Sequence, residues 1–301
     1  MLDSIKGLHL ELTNICTLKC PRCSRTNFLE TFKNKNWTNK QINLQDLQSF
    51  IDIDLHGKLF NLCGNDGDPI YYDQLFELVR WVKSNNGLIQ ISTNGSYKKQ
   101  DWWSELAELL TSDDKIIFGI DGMPDNFTQY RINADWESML NGIEAMVASK
   151  AKVEWQFIPF SYNLDSIEPA RQLSHDLGFD IFNVLHSDRW ESDDDPFKPA
   201  IDNQGPRYKK IVNWRQGKNV EIDPQCKSSH ADHFITADGY YTPCCYSANY
   251  KFFYSSDFYK NRKDYKISTT TLTTVLSKLA DFYNTIEVVK PKFCSFNCPK
   301  I

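Results

Sequence analysis

The amino-acid sequence predicts an α/β fold with a mainly parallel sheet, and three observations lead to it. Strand-like and helix-like segments alternate from residue 5 to about 186; turn residues punctuate their ends; no internal repeat or low-complexity tract breaks the series. Alternating strand–helix units call for parallel strands joined by right-handed crossovers.

The strands in order are Gly7–Leu12, Leu59–Cys63, Leu88–Thr93, Lys115–Ile120, Val153–Phe160 and Asp180–His186. Helical periods occupy Leu44–Leu55, Tyr72–Ser84, Trp102–Leu110, Trp136–Ser149 and Leu164–Leu177. Asn94-Gly95, Asp121-Gly122 and Gly178 sit where turns and helix caps belong. Six units cannot close an eight-stranded barrel, so periodicity alone admits either a doubly wound sheet or an open partial barrel. Residues 187–219 are turn-rich and partly acidic, which marks a linker or surface excursion, with Asp193–Asp195 read as a solvated loop. Beyond residue 220 come two short strand-like runs, His233–Thr236 and Tyr240–Thr242, and a helical pattern over Leu272–Tyr283. The Ser268–Thr271 stretch reads as the N-cap region of that helix.

Composition narrows the function. A hydrophobic content of 41% over 301 residues supports a sizeable core, one α/β domain with a smaller appendage. A net charge of −5 with both signs interspersed argues against nucleic acid as a partner. No window reaches the ~18 apolar residues a bilayer-spanning helix needs, and no signal peptide precedes the first strand, so the expected location is the cytoplasm. Nine cysteines in a reducing compartment point to metal or redox chemistry, and an odd number cannot pair completely as disulfides.

Cys16, Cys20 and Cys23 follow the first strand, at the sheet edge where parallel α/β folds place their sites. Three thiolates on one loop can each hold one iron of a cubane and leave the fourth iron open, as a reactive metal requires. Zinc is the structural alternative, but it wants a fourth donor that this loop lacks. The Cys-x3-Cys-x2-Cys loop after Leu10-Glu-Leu-Thr-Asn resembles the cluster loop of the radical S-adenosylmethionine superfamily. That resemblance implies a partial (β/α)6 TIM-like barrel and a [4Fe–4S] cluster whose open iron chelates S-adenosyl-L-methionine. Reductive cleavage would then give a 5′-deoxyadenosyl radical that abstracts hydrogen from substrate. Further motifs match in order. Gly64 and Asp66-Gly67-Asp68-Pro69 resemble the "GGEP" turn, which implies contacts to the cofactor ammonium. Asn94 stands in a "TNG" strand end and Asp121 in an "S-x-D-G" strand end, while Arg131 and Asn163 are further candidate cofactor residues. For Arg131 the expected roles are a salt bridge to the cofactor carboxylate or contact with substrate; the alternative is a surface arginine. Two departures stand out: Arg22 where an aromatic often packs on adenine, leaving it to reach a carboxylate or substrate, and Gly119 in place of serine.

A second cysteine set, Cys226, Cys244, Cys294 and Cys298, suits zinc or a [4Fe–4S] cluster. Its Cys-x12-Gly-x4-Cys element resembles the opening of the SPASM auxiliary-cluster extension; with four ligands the shorter twitch form fits better and implies a second, auxiliary [4Fe–4S] cluster that relays electrons. Cys245 competes with Cys244 as a ligand, and Cys63 and Cys245 otherwise read as buried thiols. The expected organisation is a core barrel over 1–186, an excursion over 187–219 and an auxiliary-cluster domain over 220–301. Expected partners are an electron donor such as flavodoxin or ferredoxin and a small-molecule or peptide substrate. The absence of a peptide-binding extension before residue 7 tilts the expectation toward a small alcohol or amino-sugar. The basic Lys33–Lys40 stretch and the 187–219 excursion are candidate substrate loops. The competing class is a non-catalytic zinc or iron–sulfur binding protein.

Overall fold

The computed structural model describes residues 5–31, 37–185, 221–224, 226, 233–298 and 300, together with 187, 190, 192 and 194–198. The first six strands are β1 (Gly7–Leu10), β2 (Leu59–Leu62), β3 (Leu88–Thr93), β4 (Lys115–Gly119), β5 (Lys152–Phe157) and β6 (Ile181–Val184). They pair in sequence order and all in parallel, and the sheet does not close on itself. This is the open partial barrel, one of the two arrangements that periodicity admits.

The C-terminal runs do more than form a separate cap. β7 (His233–Ile235) adds to the same sheet in parallel beside β1, with Leu8 opposite His233, and β8 (Tyr241–Thr242) follows antiparallel. The eight-stranded order is therefore β6-β5-β4-β3-β2-β1-β7-β8. Nothing local in the sequence fixes that pairing, because strand partners more than 200 residues apart are chosen by tertiary packing.

Along β3 the burial alternates: Ile89 and Ile91 are fully buried while Gln90 and Ser92 are half-buried. The apolar face packs on helices and the other face carries a polar network. There Gln90 donates to Asn61 at 3.2 Å, and Glu154 accepts from Lys115 and Asn183 at 2.9 Å each. The helix Leu75–Ser84 turns Leu75, Leu78, Val79 and Val82 onto the sheet, the i, i+3, i+4, i+7 stripe of an amphipathic helix.

Some elements differ from the sequence reading. A helix over Ser24–Thr31 starts immediately after Cys23; its SRTNFLET sequence carries no apolar period to announce it. The pattern over Leu272–Tyr283 is two helices, Leu272–Lys278 and Ala280–Val289, because Leu279 leaves helical geometry between them. Thr271 is the N-cap as read, its hydroxyl accepting from the Thr274 N–H. β5 ends at Phe157, since the Ile158 N–H turns aside to Asp121. Asp195 is buried, not solvated, while Asp194 is exposed. Residues 33–36 of the basic stretch, residues 188, 189, 191, 193 and 199–219 of the excursion, and residue 186 at the end of the sixth strand as read lie outside the described residues.

At the N-terminal end of the strands, fully buried Asp114 accepts from the Ile89 and Thr111 N–H groups at 2.7 Å each and pairs with Lys83 at 2.7 Å. Replacing it leaves two backbone donors and an ammonium without their partner. Asp114→Ala is expected to lower unfolding free energy by about 3 kcal/mol, read as a lower urea midpoint with unchanged slope.

Candidate active site

The loop between β1 and the helix at Ser24 is shaped by its own backbone. The Ile15 N–H donates to Thr13 Oγ1 at 3.1 Å, the Leu18 N–H points at Cys16 Sγ at 3.5 Å, and the Cys23 N–H closes a turn onto the Cys20 carbonyl at 3.1 Å. From outside, the Lys19 N–H donates to the Ile132 carbonyl at 3.0 Å. Asn14, Thr13 and residues 38–42 clasp one another across the end of β1, which pins the described part of the basic stretch there.

Cys16, Cys20 and Cys23 line one cavity of about 270 Å³ at the C-terminal edge of the parallel strands. Gly64, Asp66, Gly67 and Asp68 form its next wall, with Asn94 and Arg131 beyond them. Six of the expected residues, from three separate segments, therefore meet the three cysteines' loop at one place, while Asp121 and Asn163 do not line the cavity. Cys63, read as a buried thiol, is half-buried and lines the cavity; Cys245 is likewise half-buried.

Close approach fixes the turn after β2. A Cβ on Gly67 would stand 1.8 Å from the Thr13 carbonyl oxygen, and one on Gly64 would stand 2.7 Å from Glu11 Oε1. The turn is clipped to the cysteine loop by the Asp68 N–H, which donates to the Ile15 carbonyl at 2.9 Å. Asp68 itself is buried and its carboxylate accepts from the Asn94 N–H at 2.7 Å and the Thr93 hydroxyl at 2.9 Å. Asn94 Nδ2 also points at Cys16 Sγ at 3.6 Å, tying the end of β3 to the first cysteine.

On the opposite wall, Asp121 accepts from Arg131 Nε at 2.6 Å and from the Ile158 N–H at 2.8 Å. Asn163 is fully buried: Oδ1 accepts from the Phe160 N–H at 2.6 Å, and Nδ2 donates to the Asp121 and Ile158 carbonyls. It shapes the loop after β5 and does not line the cavity. Arg22 reaches a carboxylate, making a two-pronged ion pair with buried Asp195 at 2.7 and 3.0 Å, with Phe197 beneath the guanidinium at 5.6 Å.

The donor chemistry suits an iron–sulfur cluster. Burial, with the nearby Asp68 charge, pushes the Cys16 thiol up to about 12; burial pushes Cys20 up to about 11 against the opposing pull of Arg131. Both stay protonated until a thiophilic metal displaces the proton, so loading releases protons. Cys226, Cys244 and Cys294 are buried and Cys298 is half-buried; Cys294 is pushed up by burial and by the other three, and burial pushes Cys244 up to about 11. Cys294 thus lies within electrostatic reach of the other three. Among the described residues no three Cys, His, Asp or Glu side chains are preset in metal-coordinating geometry.

Glu11 is the site residue that motif reading passed over, although it stands in the Leu10–Asn14 segment that precedes the cysteines. It is buried and accepts from the Asp66 N–H at 2.7 Å. Burial, reinforced by the Asp66 charge, holds its carboxyl well above the ordinary carboxylate value near 4.5. The folded state therefore binds this proton more tightly than the unfolded chain. Stability from this group is full below the ordinary value and is lost as pH rises through the raised one. Glu11→Gln, which keeps the acceptor, is expected to flatten the fall in urea midpoint as pH rises from about 4.5 toward neutrality.

No family model matches the chain. Over 120 residues it is 28% identical to the tungsten-containing aldehyde ferredoxin oxidoreductase cofactor-modifying protein of Pyrococcus furiosus, which covers 40% of this chain and 32% of that protein. The chain thus spans about a third of the length of that curated relative. Among solved structures, Streptococcus suis SuiB bound to the precursor peptide SuiA superposes with a TM-score of 0.64 at 12% identity, covering 94% of this chain and 66% of SuiB, just under two thirds. The anSMEcpe structure with bound AdoMet and Cp18Cys peptide gives 0.56 at 14%, covering 98% and 83%. BtrN in complex with AdoMet and 2-DOIA gives 0.50 at 12%, covering 99% and 94%. At these identities the likeness establishes the fold alone: the chain shares its open α/β barrel with SuiB, anSMEcpe and BtrN.

Proposed function

We propose that the chain is a radical S-adenosylmethionine enzyme. The observation that carries this reading is the meeting of Cys16, Cys20 and Cys23 with the Gly64–Asp68 turn, Asn94 and Arg131 around one cavity. When bound, a [4Fe–4S] cluster with an open iron supplies the electron that cleaves S-adenosyl-L-methionine and so releases a hydrogen-abstracting radical. The chain's own residues hold and aim. The three thiols ligate, Gly64 and Gly67 let backbone carbonyls approach an ammonium group, and Asp66 adds a carboxylate at the cavity wall. Asp68 acts through Asn94 by fixing the β3 end. Leu18, Ile117, Ile158 and Leu185 give the cavity apolar walls that exclude water.

Cys226, Cys244, Cys294 and Cys298 would hold an auxiliary [4Fe–4S] cluster that relays electrons, and a flavodoxin or ferredoxin would supply them. This makes 1–186 the reactive barrel and 220–301 the auxiliary-cluster unit, joined by 187–219. The reaction we favour is oxidation of a small polar molecule. The chain and BtrN match over nearly their full lengths, and the object named for the curated relative is a cofactor. A peptide or protein side chain is the second reading, favoured by the higher TM-scores of SuiB and anSMEcpe, both solved with peptides. No described helix is long and apolar enough to cross a membrane.

Anaerobic reconstitution followed by dithionite reduction tests the proposal. The expected outcome is about eight irons per chain, two cubanes, with 5′-deoxyadenosine formed from S-adenosyl-L-methionine. Zinc at either set with no deoxyadenosine would identify a non-catalytic metal protein instead. Cys16→Ala should abolish cleavage, whereas Cys298→Ala should keep part of the cleavage and lose turnover of substrate. Equal cleavage by both variants would refute the ligand assignment.

A further inference from the structure

The cavity reaches past the strand-end motifs into the barrel. Ser92 stands on β3 two residues before Asn94, and Gln156 on β5 two residues before Ile158, each about 7 Å further back along its strand. Strand alternation turns both inward: Ser92 lies between buried Ile91 and Thr93, and Gln156 between fully buried Trp155 and Phe157. In the ladder Ile117 is opposite Ser92 and Gly119 is opposite Gln156. With Ile158 and Leu185 these residues line the cavity from β3 to β6, whereas the cysteine loop follows β1. Ser92 and Gln156 are half-buried, and among the described residues neither side chain has a hydrogen-bond partner. The polar groups around them are committed. Thr93 and Asn94 hold Asp68. In the layer beneath, Gln90 donates to Asn61 at 3.2 Å, and Glu154 accepts from Lys115 and Asn183 at 2.9 Å each. Arg131 borders this wall, its Nη2 standing 2.7 Å from where a Cβ on Gly119 would lie, but buried Asp121 holds its Nε at 2.6 Å and meets its charge.

We propose that Gln156 and Ser92 form a substrate subsite that selects an uncharged, hydroxyl-bearing group, with Gln156 as its specificity-determining residue. The inference rests on the radical S-adenosylmethionine reading of the cavity. An amide offers two N–H donors and a carbonyl acceptor, and a hydroxyl offers one donor and two lone pairs. Together they can satisfy both the O–H and the oxygen of a bound hydroxyl or of neighbouring hydroxyls. An occupant that displaces water from them without hydrogen-bonding leaves them unsatisfied, which is how a polar subsite rejects apolar analogues. A charged group fares no better. Neither side chain carries a countercharge, and Lys115 and Glu154 already neutralise each other, so an ammonium or carboxylate would lose its water without gaining a partner. Ile117, Ile158 and Leu185 take the apolar C–H surface of the occupant. The neutral alcohol is thereby chosen from among small polar molecules, and a serine side chain of a peptide carries the same chemistry.

The test is equilibrium dialysis of radiolabelled probes against the anaerobically reconstituted, unreduced full chain with S-adenosyl-L-methionine present. D-glucose, D-glucosamine and D-glucuronate share a ring and differ in charge, and N-acetylserinamide carries the hydroxyl on a peptide unit. The wild-type chain is expected to retain glucose or N-acetylserinamide in preference to both charged sugars, and the one retained tells a polyol from a peptide side chain. Gln156→Leu is expected to weaken that binding about tenfold, and Ser92→Ala to weaken it less. Gln156→Glu, of the same length, is expected to turn the preference toward glucosamine, a reversal that a merely structural role would not produce; it also reads the effect if Gln156→Leu does not load iron. Tighter binding of a charged sugar by the wild-type chain overturns the inference, as does equal binding of the neutral probe by wild type and Gln156→Leu. Loss of S-adenosyl-L-methionine binding in Gln156→Leu overturns it too, making Gln156 part of the cofactor wall. A wild-type chain that binds iron and S-adenosyl-L-methionine but neither neutral probe overturns this inference alone. One that takes up no iron at Cys16, Cys20 and Cys23 overturns the radical reading and the inference together.

Discussion

The site is built on buried carboxylates that reach across strand ends. Glu11 after β1 accepts the Asp66 N–H from the loop after β2; Asp68 accepts the Asn94 N–H after β3; Asp121 after β4 accepts the Ile158 N–H after β5. Each clasp satisfies a backbone donor that the end of a parallel ladder leaves unpaired, and leaving such a buried donor unsatisfied costs about 1–3 kcal/mol. Parallel strands deliver their loops to one edge, but they do not fix the loops relative to one another. The clasps do so, and the cavity is the space they enclose.

Local sequence yields to this arrangement. Gly64 and Gly67 lack side chains because Glu11 and the Thr13 carbonyl occupy that space, and Gly119 does so because Arg131 does. Burying charge is costly, so each carboxylate is matched by several donors. Where matching is incomplete the cost shows as a raised proton affinity, as at Glu11. The Arg22–Asp195 pair extends the same logic outward, fastening the cysteine loop to the segment after β6 with a two-pronged ion pair between groups about 170 residues apart.

The C-terminal part joins this frame and does not merely follow it. β7 completes the sheet beside β1, and Asn65 in the cavity turn donates to the Cys245 carbonyl at 2.8 Å. Asn249 donates to Ser24 at the start of the helix after Cys23. The segment that carries three of the second cysteine set is thus hydrogen-bonded to the wall of the first. Buried Tyr241 and Tyr283, bonded to each other at 3.1 Å, lie within electrostatic reach of Cys226 and Cys244.

Much of this was legible in the sequence because it is local or periodic. The six strands, their helices and the cysteine spacing need only a pattern of about 2 or 3.6 residues, or three thiols on one short loop. The positions of Asp66, Asp68, Asn94 and Arg131 at the cavity follow from one rule, that parallel strands bring their C-terminal ends to one edge. What the sequence left open depends on partners far along the chain. Asp195 reads as one of three acidic loop residues until Arg22 is found against it, and Asn163 reads as a cofactor contact until its amide is seen bridging two carbonyls. Glu11 gains its meaning from a turn 55 residues away, Gly119 from the guanidinium laid over it, and β7 from a strand at the other end of the chain. Backbone propensity and spacing set which elements form and where the thiols lie; only the packed structure decides which buried charge meets which donor, because that choice is a property of distance in space.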